Sequence, residues 1–401
     1  MATCKICKAD QVRLVRDFGS RPMCNRYVTD PDAQEFSHPL ILGQCESCGL
    51  IQLRDPVPPD ELAPRVEWLR YNEPEEHLDG LADVLCSLEN LPEGPRACGI
   101  TYKDDSLLER LVARGYRDTW RIDPMTDLDI AVHGVAGETV IPRLTPDRAR
   151  DLANRYGRVD VIVARHAFEH AHEPLLLFEA LQCLLQPGGH IVFEVPDCSG
   201  QLSQFDYSML WEEHMLYFVP ATFMWSLRRS SLAVSYFRNF PHPVDAMVAV
   251  VTQSDHELDM VGTDSEVRDH LKDGQAFSQA YSETKERLER HLRGISEQGG
   301  KIAVFGAGHL SSMFINVMEI GDLVGYVVDD DPHKQSLYMP GSKLPIRPSR
   351  SLLEDGIELC LLSMSPQNEA KVIARNGAFI DLGGRFASIF PNRQYTIHSE
   401  F

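Results

Sequence analysis

The chain has 401 residues, of which 43% are hydrophobic and 24% charged, a composition typical of folded globular proteins rather than of disordered or fibrous ones. Its 59 acidic residues outnumber its 39 basic ones, and the net charge of −20 makes nucleic acid and anionic membrane surfaces unfavourable partners. The opening residues, MATCKICK, lack the apolar segment of a secretory signal, and no run of residues is long and apolar enough to cross a bilayer, so we expect a cytoplasmic protein.

Two CxxC motifs lie near the start of the chain. Their four cysteines are Cys4, Cys7, Cys45 and Cys48. Four thiolates can surround one zinc ion and leave no position for water or substrate, so the motifs predict a structural zinc site. Cys24 lies between them and is an alternative ligand, although its neighbours favour a loop. The proline-rich segment 55–60 predicts a boundary there, with a zinc-ribbon-like unit over residues 1–60.

Short apolar segments alternate with helical ones through the middle of the chain. We expect strands over 96–101, 118–122, 159–164 and 190–195, and helices over 75–91, 106–115 and 174–185. This alternation is typical of an α/β domain whose parallel sheet is covered by helices on both faces. We assign the domain to residues 61–250.

The HxxEH motif of the inverted zinc peptidases occurs at residues 166–170. In those enzymes the motif lies within a helix, whereas here it directly follows an apolar strand. We therefore reject a peptidase. Since ligands of open α/β sheets bind at the carboxyl ends of the strands, the position favours a binding role for His166 and His170.

A second α/β unit begins after a long helix predicted over 265–296. A strand at 301–305 leads into Gly306 and Gly308, and another strand follows at 323–328. The pattern is similar to a dinucleotide-binding loop, but Ser311 replaces its third glycine, so NAD is a weak possibility and a phosphate site would look the same. Residues 251–401 are assigned to a linker helix and a C-terminal Rossmann-like domain.

The order of several motifs resembles one enzyme family. They are the four-cysteine unit, the segment around 19–26, the strand and helix around ARHAFEHAHEP, the QPGGHIVFEVPD segment, the WEEH motif at 211–214 and the late GAG loop. Together they resemble the zinc-containing, S-adenosylmethionine-dependent C-methyltransferases that act on nucleotide-linked 4-keto deoxysugars. The resemblance covers nearly the whole chain and implies a class I methyltransferase (Rossmann-like) central domain.

The resemblance also implies a mechanism. A base removes the proton next to the ketone of the sugar, and the enolate then attacks the methyl carbon of the sulfonium cofactor. By position, His214 would be the base and Glu213 its companion, with His170 facing the sugar and Tyr71 as a fourth member. The aromatic neighbours of His214 leave open that it is a packed core histidine.

The cofactor residues implied by the resemblance include departures from the family pattern. The implied contacts are Gly99, Asp104, Asp105, Asp123 and His166. The glycines of the family's loop are replaced if Leu107 and Leu108 set the register, whereas an alignment with two extra residues keeps Gly99 and brings Asp104 or Asp105 to the cofactor's ammonium group. Both alignments stay open.

The implied substrate contacts come from all parts of the chain. They are Asn25, Arg26, Trp211, Tyr217, His309 and Lys334. Trp211 stands where the family commonly has a tyrosine, and an indole can neither ionise nor accept a hydrogen bond. The altered glycine loop leaves two alternatives to methyl transfer. One is an epimerase, isomerase or eliminase on a nucleotide sugar, with NAD in the C-terminal domain as its possible cofactor, and the other is a non-catalytic protein that binds a sugar nucleotide or a partner.

Overall fold

A computed structural model describes residues 2–66, 74–131, 135–241, 245–254, 264–391, 393 and 395–400. Its internal contacts divide the chain into two compact units, each built from three segments. Unit 1 comprises Met1–Val15, Leu42–Ser199 and Glu213–Lys272. Unit 2 comprises Arg16–Ile41, Gly200–Glu212 and Asp273–Phe401.

The strands of the described residues form three sheets. In chain order they are β1 (Val12–Pro22), β2 (Ser37–Cys45), β3 (Ile51–Leu53), β4 (Ala97–Gly99), β5 (Trp120–Arg121), β6 (Val159–Arg165), β7 (Leu185–Pro196), β8 (Leu216–Tyr217), β9 (Leu232–Phe240), β10 (Ala246–Gln253), β11 (Lys301–Phe305), β12 (Tyr326–Val328), β13 (Ile346–Arg347), β14 (Ile357–Leu362) and β15 (Arg385–Ser388).

Most helices of the described residues are short. They are α1 (Pro59–Leu62), α2 (Leu78–Cys86), α3 (Asp105–Ala113), α4 (Pro124–Leu128), α5 (Gly137–Val140), α6 (Pro146–Tyr156), α7 (Pro174–Leu184), α8 (Ser199–Ser203), α9 (Pro220–Arg229), α10 (Asp264–Glu297), α11 (His309–Met318), α12 (Ser351–Glu354), α13 (Pro366–Arg375) and α14 (Gly377–Asp381). No helix in these described ranges is both long and apolar enough to cross a bilayer.

The first sheet has the order β1-β2-β3-β8. Strand β3 pairs antiparallel with β2 and, on its other side, with β8, where Ile51 lies opposite Tyr217. The sheet thus joins the cysteine-containing segment to the residues that follow the WEEH motif. Nothing local in the sequence around 216–217 predicts this pairing.

The second sheet has the order β5-β4-β6-β7-β10-β9. Strands β4, β5, β6 and β7 run parallel, while β10 is antiparallel to both of its neighbours. Helix formation at α2 follows from apolar residues that recur every three or four positions, at Leu78, Leu81 and Leu85. These side chains pack with Val161 and Val163 of β6, and each fully buried one contributes about 1.5–3 kcal/mol.

The third sheet, in unit 2, has the order β13-β12-β11-β14-β15 and is parallel throughout. Parallel strands with helices between them confirm the expected α/β class, with a zinc-binding region, a central methyltransferase-like sheet and a C-terminal Rossmann-like sheet. The division into residues 1–60, 61–250 and 251–401 stays a prediction.

Candidate functional site

The four cysteine thiols of the CxxC motifs converge in unit 1. The Sγ atoms of Cys4 and Cys48 are 3.7 Å apart and those of Cys7 and Cys45 are 3.5 Å apart. All four sulfurs lie within 4.8 Å of one another. The edge of a tetrahedron of thiolates around zinc measures about 3.8 Å, since a Zn–S bond is about 2.3 Å, so the four residues fit a zinc ion.

The loop after β4 is held by a buried carboxylate. Asp104 accepts hydrogen bonds from the N–H groups of Ile100 and Thr101 through one oxygen and from the N–H of Arg165 through the other, at 2.7–2.8 Å. Its side chain is fully buried. Asp104 therefore fixes the loop from within, and the ammonium contact implied for it stays a prediction.

The other residues implied for the cofactor lie at the carboxyl ends of β4 and β5. Asp105 forms an ion pair with Arg121, at 2.7 Å from carboxylate oxygen to Nε. Gly99 packs closely against Asp104, because an added Cβ would lie 2.8 Å from the Cβ of that residue. The turn after β4 is thus closely packed around Gly99.

Asp123 follows β5 and caps α4. Its Oδ1 accepts hydrogen bonds from the backbone N–H and the hydroxyl of Thr126 and from the backbone N–H of Met125. These hydrogen bonds lower the pKa of Asp123, and the bond from the Thr126 N–H has the largest effect. Because all three bonds go to Oδ1, the second oxygen is available to a ligand. A carboxylate at the end of the second strand fits the ribose hydroxyls of a nucleoside cofactor.

His166 directly follows β6 in a strained backbone conformation, with φ of 46°, which is uncommon for a residue other than glycine. Its Nδ1 lies 3.5 Å from Glu169 and its Nε2 lies 3.3 Å from Glu194. The imidazole therefore bridges two buried carboxylates. A direct cofactor contact for His166 stays a prediction.

A buried ion pair beneath His166 was not anticipated from the sequence. The Nε of Arg165 lies 2.6 Å from Glu194, and His77 lies 3.2 Å from the other oxygen of that carboxylate. Burial alone would raise the pKa of Glu194, but Arg165 and the two histidines together lower it well below its usual range. The signal that could have indicated this pair is Glu194, a charged residue inside the otherwise apolar strand expected over 190–195.

The two implied catalytic histidines lie side by side in unit 1. The ring centroids of His170 and His214 are 4.9 Å apart and the rings are nearly perpendicular. The segments that carry them are joined by a backbone hydrogen bond of 2.7 Å from Met215 N–H to the carbonyl of Glu169. His170 is buried, whereas His214 is partly exposed. His214 is thus accessible to a small molecule.

His170 is fixed by its surroundings. Its Nδ1 lies 2.8 Å from the carbonyl oxygen of Glu213, and because a carbonyl only accepts, Nδ1 carries the proton. Burial lowers the pKa of His170, although the carboxylates of Glu169 and Glu138 act in the opposite direction. The neutral ring then has a lone pair on Nε2.

Two tyrosines are also implied for the site, Tyr71 and Tyr217. Tyr71 lies outside the described residues. Tyr217 belongs to β8 and is only 1% exposed, with its ring centroid 6.2 Å from that of His214. It packs against the histidine, and the substrate contact implied for it stays a prediction.

The remaining implied substrate residues converge in unit 2. The segment 24–27 is tied at both ends, since the N–H of Cys24 donates to Glu212 at 2.5 Å and the hydroxyl of Tyr27 donates to the carbonyl of Ala307 at 2.6 Å. Asn25 and Arg26 lie between these ties and are largely buried.

Aromatic stacking extends this group. The rings of Trp211 and His309 stack with centroids 4.1 Å apart and an interplanar angle of 10°. Lys334 lies 6.0 Å from the ring of Tyr27 and pairs with Asp329 at 2.9 Å. Residues far apart in sequence therefore share one site in unit 2.

The glycine-rich loop after β11 forms a hydrogen bond with the carboxylate of Asp329. Gly306 has φ of +101°, which favours glycine, and the turn brings the N–H of Ala307 to 2.9 Å from Asp329. The other oxygen of Asp329 accepts from the N–H of Asp331. Because this carboxylate would have to bind the ribose of NAD and is already bonded, the structure does not support NAD here.

Comparisons with known proteins cover most of the chain. Residues 4–62 match the family model of a zinc binding domain, residues 80–235 that of a methyltransferase domain, and residues 250–391 that of a C-methyltransferase C-terminal domain. The C-methyltransferase NovU of Streptomyces niveus is 24% identical over 405 residues, covering 97% of this chain and 95% of that protein.

Solved structures similar to part of this chain include two methyltransferases with bound S-adenosylhomocysteine. The 1,6-didemethyltoxoflavin-N1-methyltransferase of Burkholderia thailandensis is 14% identical, covers 45% of this chain and 80% of its own, and has a TM-score of 0.31. The magnesium protoporphyrin IX methyltransferase of Synechocystis is 13% identical, with 45% and 83% coverage and a TM-score of 0.31.

Proposed function

The chain belongs to the zinc-containing, S-adenosylmethionine-dependent C-methyltransferases, and we propose that it methylates a carbon atom next to the ketone of a nucleotide-linked sugar. The observation that carries the proposal is the partly exposed His214 beside the buried His170, in the unit that contains the methyltransferase sheet. The cofactor, when bound, supplies an electrophilic methyl group.

Residues of the chain remove the proton, orient the sugar and bind the cofactor. His214 removes the proton next to the ketone, since an imidazole is of suitable strength for a carbon acid whose enolate is stabilised. His170, fixed by Glu213, faces the same space and orients the sugar. Asp123 binds the ribose of the cofactor, and Asp105 binds the ammonium group of the cofactor.

For the predicted substrate residues of unit 2, taken by themselves, we propose nucleotide binding. Arg26 supplies a positive charge, and Trp211 and His309 supply a stacked aromatic surface. An anionic substrate needs such a local site, because the whole chain carries a charge of −20. We retain the predicted domains, 1–60, 61–250 and 251–401, since the matched family models occupy similar ranges.

The experiment separates proton removal from methyl transfer. Purified protein is incubated in D₂O with nucleotide-linked 4-keto deoxysugars, with and without S-adenosylmethionine, and deuterium incorporation and methylation are followed by mass spectrometry. We expect exchange without the cofactor and methylation with it. The His214→Ala variant should lose both by roughly 100- to 10,000-fold, because a positioned base contributes that much.

The His190→Gln variant is the matched control, since this histidine is also buried but lies in the middle of β7 and is not among the residues implied for the site. It should keep both activities. Exchange without methylation, together with no cofactor binding in calorimetry, would favour the epimerase, isomerase or eliminase alternative. Full activity of His214→Ala would disprove the assignment of the base.

A further inference from the structure

Arg165 places a guanidinium group inside unit 1, at the carboxyl end of β6. Its side chain is 1% exposed, and its Nε lies 2.6 Å from the carboxylate of Glu194, whose side chain is 0% exposed. Burial of two charges costs several kcal/mol for each ion, and apolar residues of similar volume often give a protein that is at least as stable. Stability alone therefore does not explain why the chain has an ion pair at this position.

A second branch of the guanidinium group reaches the loop after β4. Nη1 of Arg165 donates to the carbonyl oxygen of Lys103 at 2.5 Å, and it also lies 3.4 Å from the hydroxyl of Ser106. The backbone N–H of Arg165 donates to Asp104 at 2.8 Å. One residue of β6 thus holds this loop through its side chain and through its backbone.

The loop depends on such contacts for its shape. Residues 100–106 contain no glycine, and none of these described residues has a positive φ. The path of the loop is fixed instead by hydrogen bonds to the side chains of Asp104 and Arg165. The loop follows the carboxyl end of β4, the edge at which ligands of α/β sheets bind. A displaced Arg165 would therefore move the backbone at that edge.

We propose that Arg165, with Glu194 as its counter-ion, is a positioning residue for S-adenosylmethionine, because it holds residues 100–106 in the conformation that binds the cofactor. The guanidinium group acts through the carbonyl of Lys103, to which it donates. Glu194 compensates the charge and, by accepting from Nε, fixes the plane of the guanidinium group so that Nη1 faces the loop. The inference rests on the cofactor site proposed at the carboxyl ends of β4 and β5.

Binding of S-adenosylhomocysteine to the zinc-containing full-length protein, measured by calorimetry, tests this role without any sugar. The double variant Arg165→Met/Glu194→Gln removes both charges and keeps an amide beside His77 and His166. Its melting temperature should be close to that of the wild type, since no buried charge is left unpaired. Its dissociation constant should rise roughly tenfold or more, because a small displacement of a binding loop weakens its match to the ligand.

Two further measurements separate positioning from a general loss of structure. Amide hydrogen exchange, followed by mass spectrometry, should become faster in residues 100–106 of the double variant and stay unchanged in the third sheet, which belongs to unit 2. In steady-state kinetics, the KM for S-adenosylmethionine should rise, while kcat at saturating cofactor falls by less than about threefold. A purely structural role would lower the melting temperature and kcat together.

Arg114→Gln/Asp83→Asn is the matched control. This ion pair measures 2.7 Å from Nε to the carboxylate and joins the end of α3 to α2, within the same unit but away from the loop. Its side chains are partly or largely exposed. Its removal should leave the affinity for S-adenosylhomocysteine within about twofold of the wild type, because exposed ion pairs contribute at most about 1 kcal/mol.

Wild-type affinity in a folded double variant would overturn the positioning role, and so would a wild type that binds no S-adenosylhomocysteine. If the double variant does not fold, Arg165→Lys decides the question, because an ammonium group keeps the charge beside Glu194 but lacks the planar fork that also reaches Lys103. This variant should melt near the wild type and bind the cofactor more weakly, and unchanged binding would again overturn the role.

Methylation is assayed separately with nucleotide-linked keto sugars. Cofactor binding that depends on Arg165, together with no methylation of any such sugar, would contradict the proposed function and leave the positioning role intact. Methylation by the wild type, together with unchanged cofactor affinity in the folded variants, would contradict the positioning role and leave the proposed function intact.

Discussion

The buried carboxylate of Asp104 links the cofactor loop to pH. Burial raises the pKa of Asp104 to about 7, although hydrogen bonds from Thr101 and Arg165 oppose this effect. An acid whose pKa is higher in the folded state binds more protons there than in the unfolded state. Its contribution to stability is therefore complete below about pH 4 and is lost as the pH rises through about 7.

We therefore expect the free energy of unfolding of the wild type to fall from about pH 4 to about pH 7, by at most about 4 kcal/mol from this residue. Asp104→Asn cannot titrate, so the slope over this window should flatten even though the variant is less stable throughout. Urea unfolding at several pH values measures both slopes. Equal slopes would show that Asp104 ionises normally.

A second prediction at the scale of single residues concerns Gly137. A Cβ at this position would lie 2.9 Å from Cδ2 of His170 and 3.0 Å from the carbonyl of His166. Gly137→Ala should therefore displace His170, reduce kcat at least tenfold and destabilise the protein by about 1–3 kcal/mol.

Gly80→Ala provides the matched control for this change. Gly80 lies in α2, and nothing is found within 4 Å of an added Cβ. Alanine favours a helix over glycine by about 1 kcal/mol, so this variant should be as stable or more stable and fully active. Steady-state kinetics and thermal melting of both variants make the comparison, and unchanged kcat in Gly137→Ala would contradict the close packing.

Among the elements, the first sheet depends on the four cysteines. Their thiolates tie the turn before β1 to the turn between β2 and β3. The double variant Cys45→Ser/Cys48→Ser should lose about one equivalent of zinc and melt at a lower temperature, because metal binding here is coupled to folding. Cys86→Ser, at an exposed cysteine outside the cluster, should retain both zinc and stability.

Zinc content by atomic absorption decides this prediction. A wild-type protein purified without metal, or a double variant that keeps a full equivalent, would contradict it. Because β3 pairs with β8, which follows His214 in the chain, loss of zinc should also destabilise the segment next to His214.

Local sequence patterns predicted several elements closely. The strand expected at 159–164 is β6 (Val159–Arg165), the helix expected at 174–185 is α7 (Pro174–Leu184), and 301–305 is β11. These elements contain continuous apolar runs or regular spacing, which depend on local residues alone. The four-cysteine cluster was equally predictable, because its motif is short and specific.

Long-range contacts could not be predicted in the same way. Strand β8 has two residues, and its partner β3 lies far away in sequence. Asp104 and Asp105 looked equivalent, and only the direction of the side chains separates the buried one from the exposed one. Glu138 had no motif at all. In each case the decisive fact is which distant groups lie nearby.

On the scale of the whole molecule, the two units are interleaved along the chain. Unit 2 needs Arg16–Ile41 and Gly200–Glu212 in addition to its C-terminal segment. A fragment of residues 251–401 should therefore unfold at a lower temperature or without cooperativity, because it lacks both of these earlier segments and, with them, the contact between the rings of Tyr207 and Phe277. Circular dichroism of the fragment and the intact chain tests this, and equal melting would contradict it.

The same interleaving constrains how the protein is made and how it can change. The segment Arg16–Ile41 leaves the ribosome among the first residues, yet the strands it accompanies, β11 to β15, are synthesised last. Unit 2 can thus be completed only near the end of translation, because its early segments cannot form their native contacts before the C-terminal segment is synthesised. In a recombinant gene, a crossover at residue 250 would combine the early segments of unit 2 from one parent with its C-terminal segment from the other. Substrate specificity should therefore be exchanged more readily by coordinated changes in all three segments of unit 2 than by replacing one end of the gene.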